Sequence, residues 1–252
     1  MKVIVNGELV DIDKSGINEK GWLIGNGIFE SIKTVDGLPW ALSRHMRRAI
    51  NTAISIGLKL PPEDFVRQSL KLLLTQEHHP RGFIRLSFAA NGKWAAVHLP
   101  YVEISAPAKL LTYPQALVID RKPIKSYPYT HRLEILDAVK KRGYDEAIVT
   151  NGDGKVCEGA VTNLLLKIED QWITPPLSDG VLPGVVRALV IENCGVKVRS
   201  IEIFEIVNIE SAFLLSSLRI AQPVAAIDGR ELMQSNEFRL EIAAMALRSS
   251  VG

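Results

Sequence analysis

Short segments rich in β-branched residues alternate along this chain with segments that carry a helical stripe of apolar residues. Turn residues separate them, as in Asn6-Gly7, Asp36-Gly37 and the run at residues 151–154. Residues 28–35 predict a strand, and residues 43–57 predict a helix that ends at a glycine. This alternation restricts the chain to a mixed α/β (α+β) fold.

The predicted elements form two groups, and 252 residues are enough for two domains. We predict an N-terminal α+β domain at residues 1–108, with an initial hairpin, two helices and a strand at residues 101–106. Loop-like composition then predicts a linker at residues 109–115. A C-terminal α/β domain, residues 116–252, is predicted to begin with a strand at residues 116–121 and to end with a helix at residues 236–248.

The composition indicates an ordinary soluble protein. Charged residues make up 23% of the chain and the formal net charge is +2, so we expect neither a nucleic-acid nor a membrane partner. The two cysteines, Cys157 and Cys194, form no disulfide framework or CxxC spacing, and we expect no metal site. We also expect no signal peptide or transmembrane helix, and a cytoplasmic location.

Four features carry candidate chemistry. Lys125 stands between a predicted strand and a predicted helix, where an amine can point into a cleft. Glu158 ends a short strand, and residues 182–187 open a helix with Pro and Gly, a start that suits a phosphate. Arg48 flanks an apolar helical stripe. Each has a plain alternative: a solvated lysine, a hairpin glutamate, an ordinary helix start and a surface arginine.

Several motifs, in this order along the chain, resemble those of the class IV (fold type IV) pyridoxal-phosphate enzymes. That family includes branched-chain aminotransferases, D-amino-acid aminotransferases and 4-amino-4-deoxychorismate lyases. The motifs are Gly25-Asn26-Gly27-Ile28-Phe29-Glu30, His45-Met46-Arg47-Arg48, Lys125-Ser126 with Gly143-Tyr144-Asp145-Glu146-Ala147, Gly154-Lys155-Val156-Cys157-Glu158-Gly159 with Asn163, Trp172-Ile173-Thr174-Pro175, and Gly180-Val181-Leu182-Pro183-Gly184-Val185-Val186-Arg187.

The resemblance implies two α/β domains with pyridoxal 5'-phosphate between them, and a homodimer. It implies that Lys125 is the Schiff-base lysine and proton shuttle, and that Glu158 pairs with the pyridine nitrogen. The implied phosphate-binding residues are Arg48, the backbone of Val185 and Val186, Ser217 and its neighbour Ser216.

The reaction is open between two alternatives within the family. Ser31 as a catalytic hydroxyl, Arg219 as a carboxylate-binding residue and Pro223-Val224 resemble the lyases, which release pyruvate and 4-aminobenzoate. Lys33 and Arg85 are further candidate substrate-binding residues. The alternative is an aminotransferase of branched-chain, D-amino-acid or amine donors, and a more distant one is a non-catalytic relative.

Three positions depart from the family pattern. Asn26 stands where Asp is usual, and Ile124 stands where a polar residue usually precedes the lysine. The segment Ala89-Ala90-Asn91 lacks the Arg-Gly pair of many lyases and D-aminotransferases. That absence removes one carboxylate-binding arginine from consideration.

Overall fold

The computed structural model describes residues 1–18, 20–116 and 123–249. Its strands, in chain order, are β1 (Lys2–Val5), β2 (Glu8–Asp11), β3 (Gly27–Val35), β4 (Leu38–Pro39), β5 (Arg81–Ala89), β6 (Trp94–Pro100), β7 (Ala108–Thr112), β8 (Ser126–Tyr127), β9 (Glu146–Thr150), β10 (Val156–Glu158), β11 (Asn163–Ile168), β12 (Gln171–Thr174), β13 (Lys197–Val198), β14 (Ser211–Ser216), β15 (Ile220–Ile227) and β16 (Arg230–Glu231). Its α-helices are α1 (Leu42–Ile56), α2 (Glu63–Gln76), α3 (Thr130–Lys140), α4 (Val185–Asn193) and α5 (Asn236–Arg248). The mixed α/β class is therefore confirmed.

The chain forms two compact units. Unit 1 contains Met1–Glu103, Ile124–Pro128 and the chain end from Ser249, and unit 2 contains Ile104–Pro123 and Tyr129–Arg248. The predicted boundary at residue 108 lies close to this division. The short segment Ile124–Pro128, however, belongs to unit 1, so the chain passes from one unit to the other more than once.

Unit 1 is built on an antiparallel sheet. Among the described residues its strand order is β2-β1-β6-β5-β3-β4, and β8 also pairs with β3. The predicted hairpin is present, with Asn6 and Gly7 at φ values of 51° and 92°, the left-handed conformation that a two-residue hairpin turn requires. Helices α1 and α2 cover one face of this sheet, and their buried side chains form one core with those of β3 and β5, including Ile32, Met46 and Leu70.

Unit 2 is built on a mixed sheet. Its order among the described residues is β10-β9-β7-β15-β14-β11-β12-β13, with β16 paired to β15. The pairs β7–β9, β7–β15 and β12–β13 are parallel. All five residues of β9 are buried, as expected for a strand covered on both faces. Helix α3 packs against β9, α4 packs against β14, and α5 packs against β15 and α4.

Several sequence predictions need correction. Residues 109–112, predicted as linker, lie in β7, because Leu110 and Leu111 are buried in unit 2 and the flanking prolines only bound the strand. The strand predicted at residues 101–106 is absent, and the segment before it forms strand β6 instead. Its alanine-rich sequence has little intrinsic strand preference. The predicted strand at residues 116–121 lies, apart from its first residue, outside the described residues.

One further strand, β15, was not predicted from the sequence. Pro223 lies within β15, where it pairs with Phe213 of β14, although proline usually argues against an interior strand. The final helix, in contrast, has the predicted bounds.

In the part of the chain that the structure describes, no helix combines the length and apolar character needed to span a bilayer.

Candidate functional site

Strand β3 presents two chemically different faces in unit 1. Ile28 and Ile32 enter the core beneath α1 and α2, and Glu30 lies between them on the same face because strand side chains alternate. Phe29 and Ser31 therefore point to the opposite face. Each face carries part of the chemistry predicted from the sequence.

On the core face, Glu30 is bound by two side chains of α1. Its Oε2 lies 2.7 Å from His45 Nδ1, and its Oε1 accepts a 2.8 Å hydrogen bond from Arg48 Nε. Arg48 Nη2 also contacts Oε2, so the guanidinium binds the carboxylate through two donor nitrogens. The side chains of Glu30 and Arg48 are 2% and 11% exposed. This pairing fixes the position of the predicted phosphate-binding arginine.

Burial and the contacts among Glu30, His45 and Arg48 determine the pKa values of Glu30 and His45. Burial alone would raise the pKa of Glu30, but the charge of Arg48 and the hydrogen bonds from His45 and Arg48 outweigh it and lower that pKa to about 2. Burial lowers the pKa of His45, and the attraction of Glu30 only partly opposes this. At neutral pH Glu30 is therefore ionised, while His45 is neutral and donates its Nδ1 proton to Glu30.

On the opposite face, Lys125 lies next to Phe29. Strand β8 pairs with the beginning of β3, with Ser126 opposite Ile28. The Phe29 N–H donates a 2.9 Å hydrogen bond to the Lys125 carbonyl, and the Lys125 Nζ lies 4.5 Å from the centroid of the Phe29 ring. The amine is thus held against an aromatic face at one end of β3.

Arg85 shares this face through its position on β5, directly opposite Ser31. Its guanidinium carbon lies 3.8 Å from the Trp22 ring centroid, a cation–π contact, and Trp22 packs edge-on against Phe29 at 4.7 Å. Burial lowers the pKa of Arg85 to about 10, so the group remains cationic at neutral pH. Its Nε is buried and has no hydrogen-bond partner among the described residues.

Lys33 of β3, the other candidate substrate-binding residue, is already engaged in an ion pair. Its Nζ lies 2.7 Å from Glu103 Oε1, and Glu103 is also 3.7 Å from Arg81. Because this carboxylate neutralises the amine, Lys33 offers a substrate less free charge than Arg85 does.

In unit 2, Glu158 ends β10 within a set of hydrogen-bond donors. Its Oε1 accepts from Arg132 Nη2 at 2.7 Å. Its Oε2 accepts from Asn163 Nδ2 and from the Leu182 N–H, each at 3.0 Å. The residue as a whole is 4% exposed, and three hydrogen-bond donors hold its carboxylate. Glu158 is thus a rigid, buried acceptor.

Asn163 connects this carboxylate to the start of α4. Its Nδ2 also donates to the Leu182 carbonyl at 3.0 Å. A side chain at Gly184 would place its Cβ 1.8 Å from Asn163 Oδ1, so only glycine fits there. Gly184 is the N-cap of α4 and, within the described residues, no side chain caps this end. The amides of Val185 and Val186 therefore open a helix terminus that suits an anion.

The predicted serines and Arg219 lie at the turn between β14 and β15. Ser216 Oγ accepts a 3.2 Å hydrogen bond from the Arg219 N–H, and Ser217 follows in the same turn. The Arg219 guanidinium donates to Gln222 Oε1 at 3.1 Å and lies 3.8 Å from Glu146 Oε2. Burial raises the pKa of Glu146, and Arg219 opposes this rise. Arg219 thus faces a buried carboxylate of its own unit.

Sequence reasoning assigned no role to Arg132, Asn163, Glu30 or His45. A polar residue at a core-facing position of an apolar strand is the signal that singles out Glu30, because an unpaired buried charge is costly. Nothing in the sequence around Arg132 singles it out. Its role depends on the contact with Glu158, which forms only because α3 and β10 come together in the fold.

Comparisons with known proteins agree with this arrangement. The family model described as Amino-transferase class IV matches residues 27–227. The chain is 24% identical to a D-alanine aminotransferase from Bacillus licheniformis, over 92% of this chain and 90% of that protein.

Solved structures have the same fold. A structure titled putative 4-amino-4-deoxychorismate lyase, from Legionella pneumophila, has a TM-score of 0.82 and 22% identity, covering 90% of this chain and 92% of that one. A hypothetical aminotransferase from Mycobacterium tuberculosis, in its PLP-bound form, has a TM-score of 0.84 and 17% identity, covering 100% and 99%. Because the family model spans most of the chain, this protein is an enzyme of the class IV aminotransferase family, which uses pyridoxal phosphate.

Proposed function

We propose that this enzyme acts on 4-amino-4-deoxychorismate and releases pyruvate and 4-aminobenzoate. The observation that carries the proposal is the pairing of Ser31 with Arg85 across β3 and β5, on the face where Lys125 contacts Phe29. A hydroxyl and a candidate carboxylate-binding cation on the same face as a candidate proton-transferring amine suit an elimination from a substrate with carboxylate groups.

The residues present fit pyridoxal phosphate. Within the described residues no side chain caps the start of α4, and such an uncapped helix start suits a phosphate. Glu158 is a buried carboxylate held by donors, which suits a protonated ring nitrogen. When bound, the cofactor supplies an electron-withdrawing ring that stabilises negative charge on the substrate's α-carbon.

Each proposed cofactor contact is supported by one local arrangement. Lys125 would hold the cofactor through its Nζ and, once released, would move the α-carbon proton as base and acid. Glu158 would accept a hydrogen bond from the ring N–H. The amides of Val185 and Val186 would donate to the phosphate. Arg48, whose guanidinium is held by Glu30, is proposed as a further phosphate-binding cation.

The remaining phosphate and substrate contacts are proposed for residues at the turn after β14 and on strands β3 and β5. Ser216 and Ser217 would hold the phosphate from the turn after β14. Arg85 binds a substrate carboxylate, since its guanidinium is cationic and its Nε has no partner in the described residues. Ser31 delivers a proton to the departing pyruvate unit. Arg219 supports this reading least, because Gln222 and Glu146 already face its guanidinium.

An aminotransferase is the second candidate. One buried arginine stacked on an indole suits the single α-carboxylate of an amino acid as well as it suits a larger substrate, and the D-alanine aminotransferase named above matches nine-tenths of the chain. In that case, Ser31 would have no proton to deliver to a leaving group.

The deciding experiment supplies the purified enzyme and pyridoxal phosphate with 4-amino-4-deoxychorismate. Parallel reactions contain L- or D-amino acids with 2-oxoglutarate or pyruvate. Release of 4-aminobenzoate that Lys125→Ala abolishes and Ser31→Ala slows supports the lyase. Amino-group exchange without 4-aminobenzoate overturns it in favour of an aminotransferase, and the absence of any cofactor absorption band favours a non-catalytic relative.

We further propose that the enzyme is a homodimer, as the family resemblance implies. Size-exclusion chromatography with light scattering should give twice the 27.8 kDa chain mass. A mass of one chain at micromolar concentration would contradict this.

A further inference from the structure

Arg132, in the first turn of α3, holds the end of β10 with both arms of its guanidinium. Nη2 lies 2.7 Å from Glu158 Oε1, and Nη1 donates a 3.2 Å hydrogen bond to the Gly159 carbonyl. The two side chains are 18% and 5% exposed. An ion pair so shielded from water interacts more strongly than a surface pair.

We propose that Arg132 is a positioning residue that sets how strongly Glu158 attracts the proton of the cofactor's ring nitrogen. This inference rests on the proposed role of Glu158. A carboxylate paired with a guanidinium is a weaker base than an unpaired one, because the nearby positive charge stabilises its ionised form. Arg132 therefore moderates the electron-withdrawing strength of the ring and fixes the direction in which the carboxylate points.

Three other side chains near Glu158, those of Arg187, Cys157 and Asn163, keep their chemical identity when Arg132 alone is substituted. Arg187 of α4 interacts with the charge of Glu158, while its Nη2 donates to the Pro175 carbonyl at 2.7 Å. Burial, together with the carboxylates of Glu158 and Asp179, raises the pKa of the Cys157 thiol to about 12, so this neighbour adds no charge. Asn163 is neutral at every pH.

The test measures the ring nitrogen directly. The protein is loaded with pyridoxal phosphate labelled with ¹⁵N in its ring, and the ¹⁵N chemical shift is followed against pH. Arg132→Gln removes the charge but keeps an N–H donor, and we expect it to raise the pH midpoint of ring-nitrogen protonation by about one to three units. Arg132→Lys keeps the charge and should stay closer to the wild type.

Controls separate this effect from misfolding and from failure of the proposed function. Arg142→Gln removes an exposed arginine just beyond the same helix and should leave the midpoint unchanged. Circular dichroism checks each fold, and Arg132→Met replaces Arg132→Gln if that variant is unfolded.

Two outcomes contradict different claims. If Glu158→Gln leaves the ¹⁵N shift unchanged, Glu158 is not the ring-nitrogen partner and the proposed role fails. If Glu158→Gln moves the shift while the neutral Arg132 variants titrate like the wild type, only the inference about Arg132 is overturned.

Discussion

Replacing Glu30 by glutamine should destabilise the enzyme strongly at neutral pH and much less in acid. The substitution keeps the shape of the side chain but removes the charge that pairs with Arg48. Both groups are shielded from solvent, so the variant leaves a buried guanidinium without its counter-charge. Breaking such a pair costs about 3–5 kcal/mol.

The pH dependence follows from the pKa of Glu30. The contacts in the fold lower that pKa from 4.5 to about 2. The folded state therefore binds this proton less readily than the unfolded chain, and the stabilisation is present above pH 4.5 and lost as the pH falls towards 2. A shift of this size corresponds to about 3 kcal/mol, of which about 2 kcal/mol is lost by pH 3.

The assay is urea unfolding of the wild type and Glu30→Gln at pH 6 and pH 3, followed by circular dichroism. Glu103→Gln is the matched control, because it breaks a more exposed pair with Lys33 and should cost less than about 1 kcal/mol. The reasoning is refuted if Glu30→Gln costs no more than Glu103→Gln at pH 6, or if its cost is the same at both pH values.

Three further predictions test other parts of the structure. Gly184→Ala forces a Cβ against the buried amide oxygen of Asn163 and should lower the affinity for pyridoxal phosphate at least about tenfold. Gly152→Ala is the control, because open space surrounds that position, and it should leave the affinity unchanged. Fluorescence titration with pyridoxal phosphate measures both variants. Arg85→Met should lower kcat/KM by about 10- to 100-fold, because a contact with the substrate carboxylate is lost. Arg81→Met alters a largely exposed arginine and should have little effect on kcat/KM in the same assay. Cys157 should resist alkylation by iodoacetamide at pH 8 until the protein is unfolded, because burial raises the pKa of its thiol. Mass spectrometry measures the alkylation, and a modified Cys157 in the folded protein would contradict this prediction.

Local sequence determined those elements whose signals lie within a few residues. Asn6 and Gly7 adopt the positive φ values that a tight hairpin needs, and Gly57, also at positive φ, ends α1. The amphipathic segment at residues 236–248 forms α5 with the predicted bounds. Such features depend on backbone conformation and short-range periodicity, which the residues carry themselves.

Family motifs in the sequence identified the enzyme family and named Lys125, Glu158 and Arg48 as candidates, but the partners of these residues came from packing. Arg48 meets Glu30 across 18 positions of the chain, and Arg132 meets Glu158 across 26. Lys33 and Arg85 looked equivalent in the sequence; the fold gave Lys33 a carboxylate and placed Arg85 against an indole. Strands β6 and β15 likewise depend on their neighbours.

The sequence by itself thus determined which chemical groups this protein has and where its short-range turns lie. The tertiary structure decided which of those groups are paired, buried or left with an unsatisfied donor. The physical reason is that charge and hydrogen-bond energies depend on distance and on exclusion of water, and both are set only when segments far apart in the chain pack together.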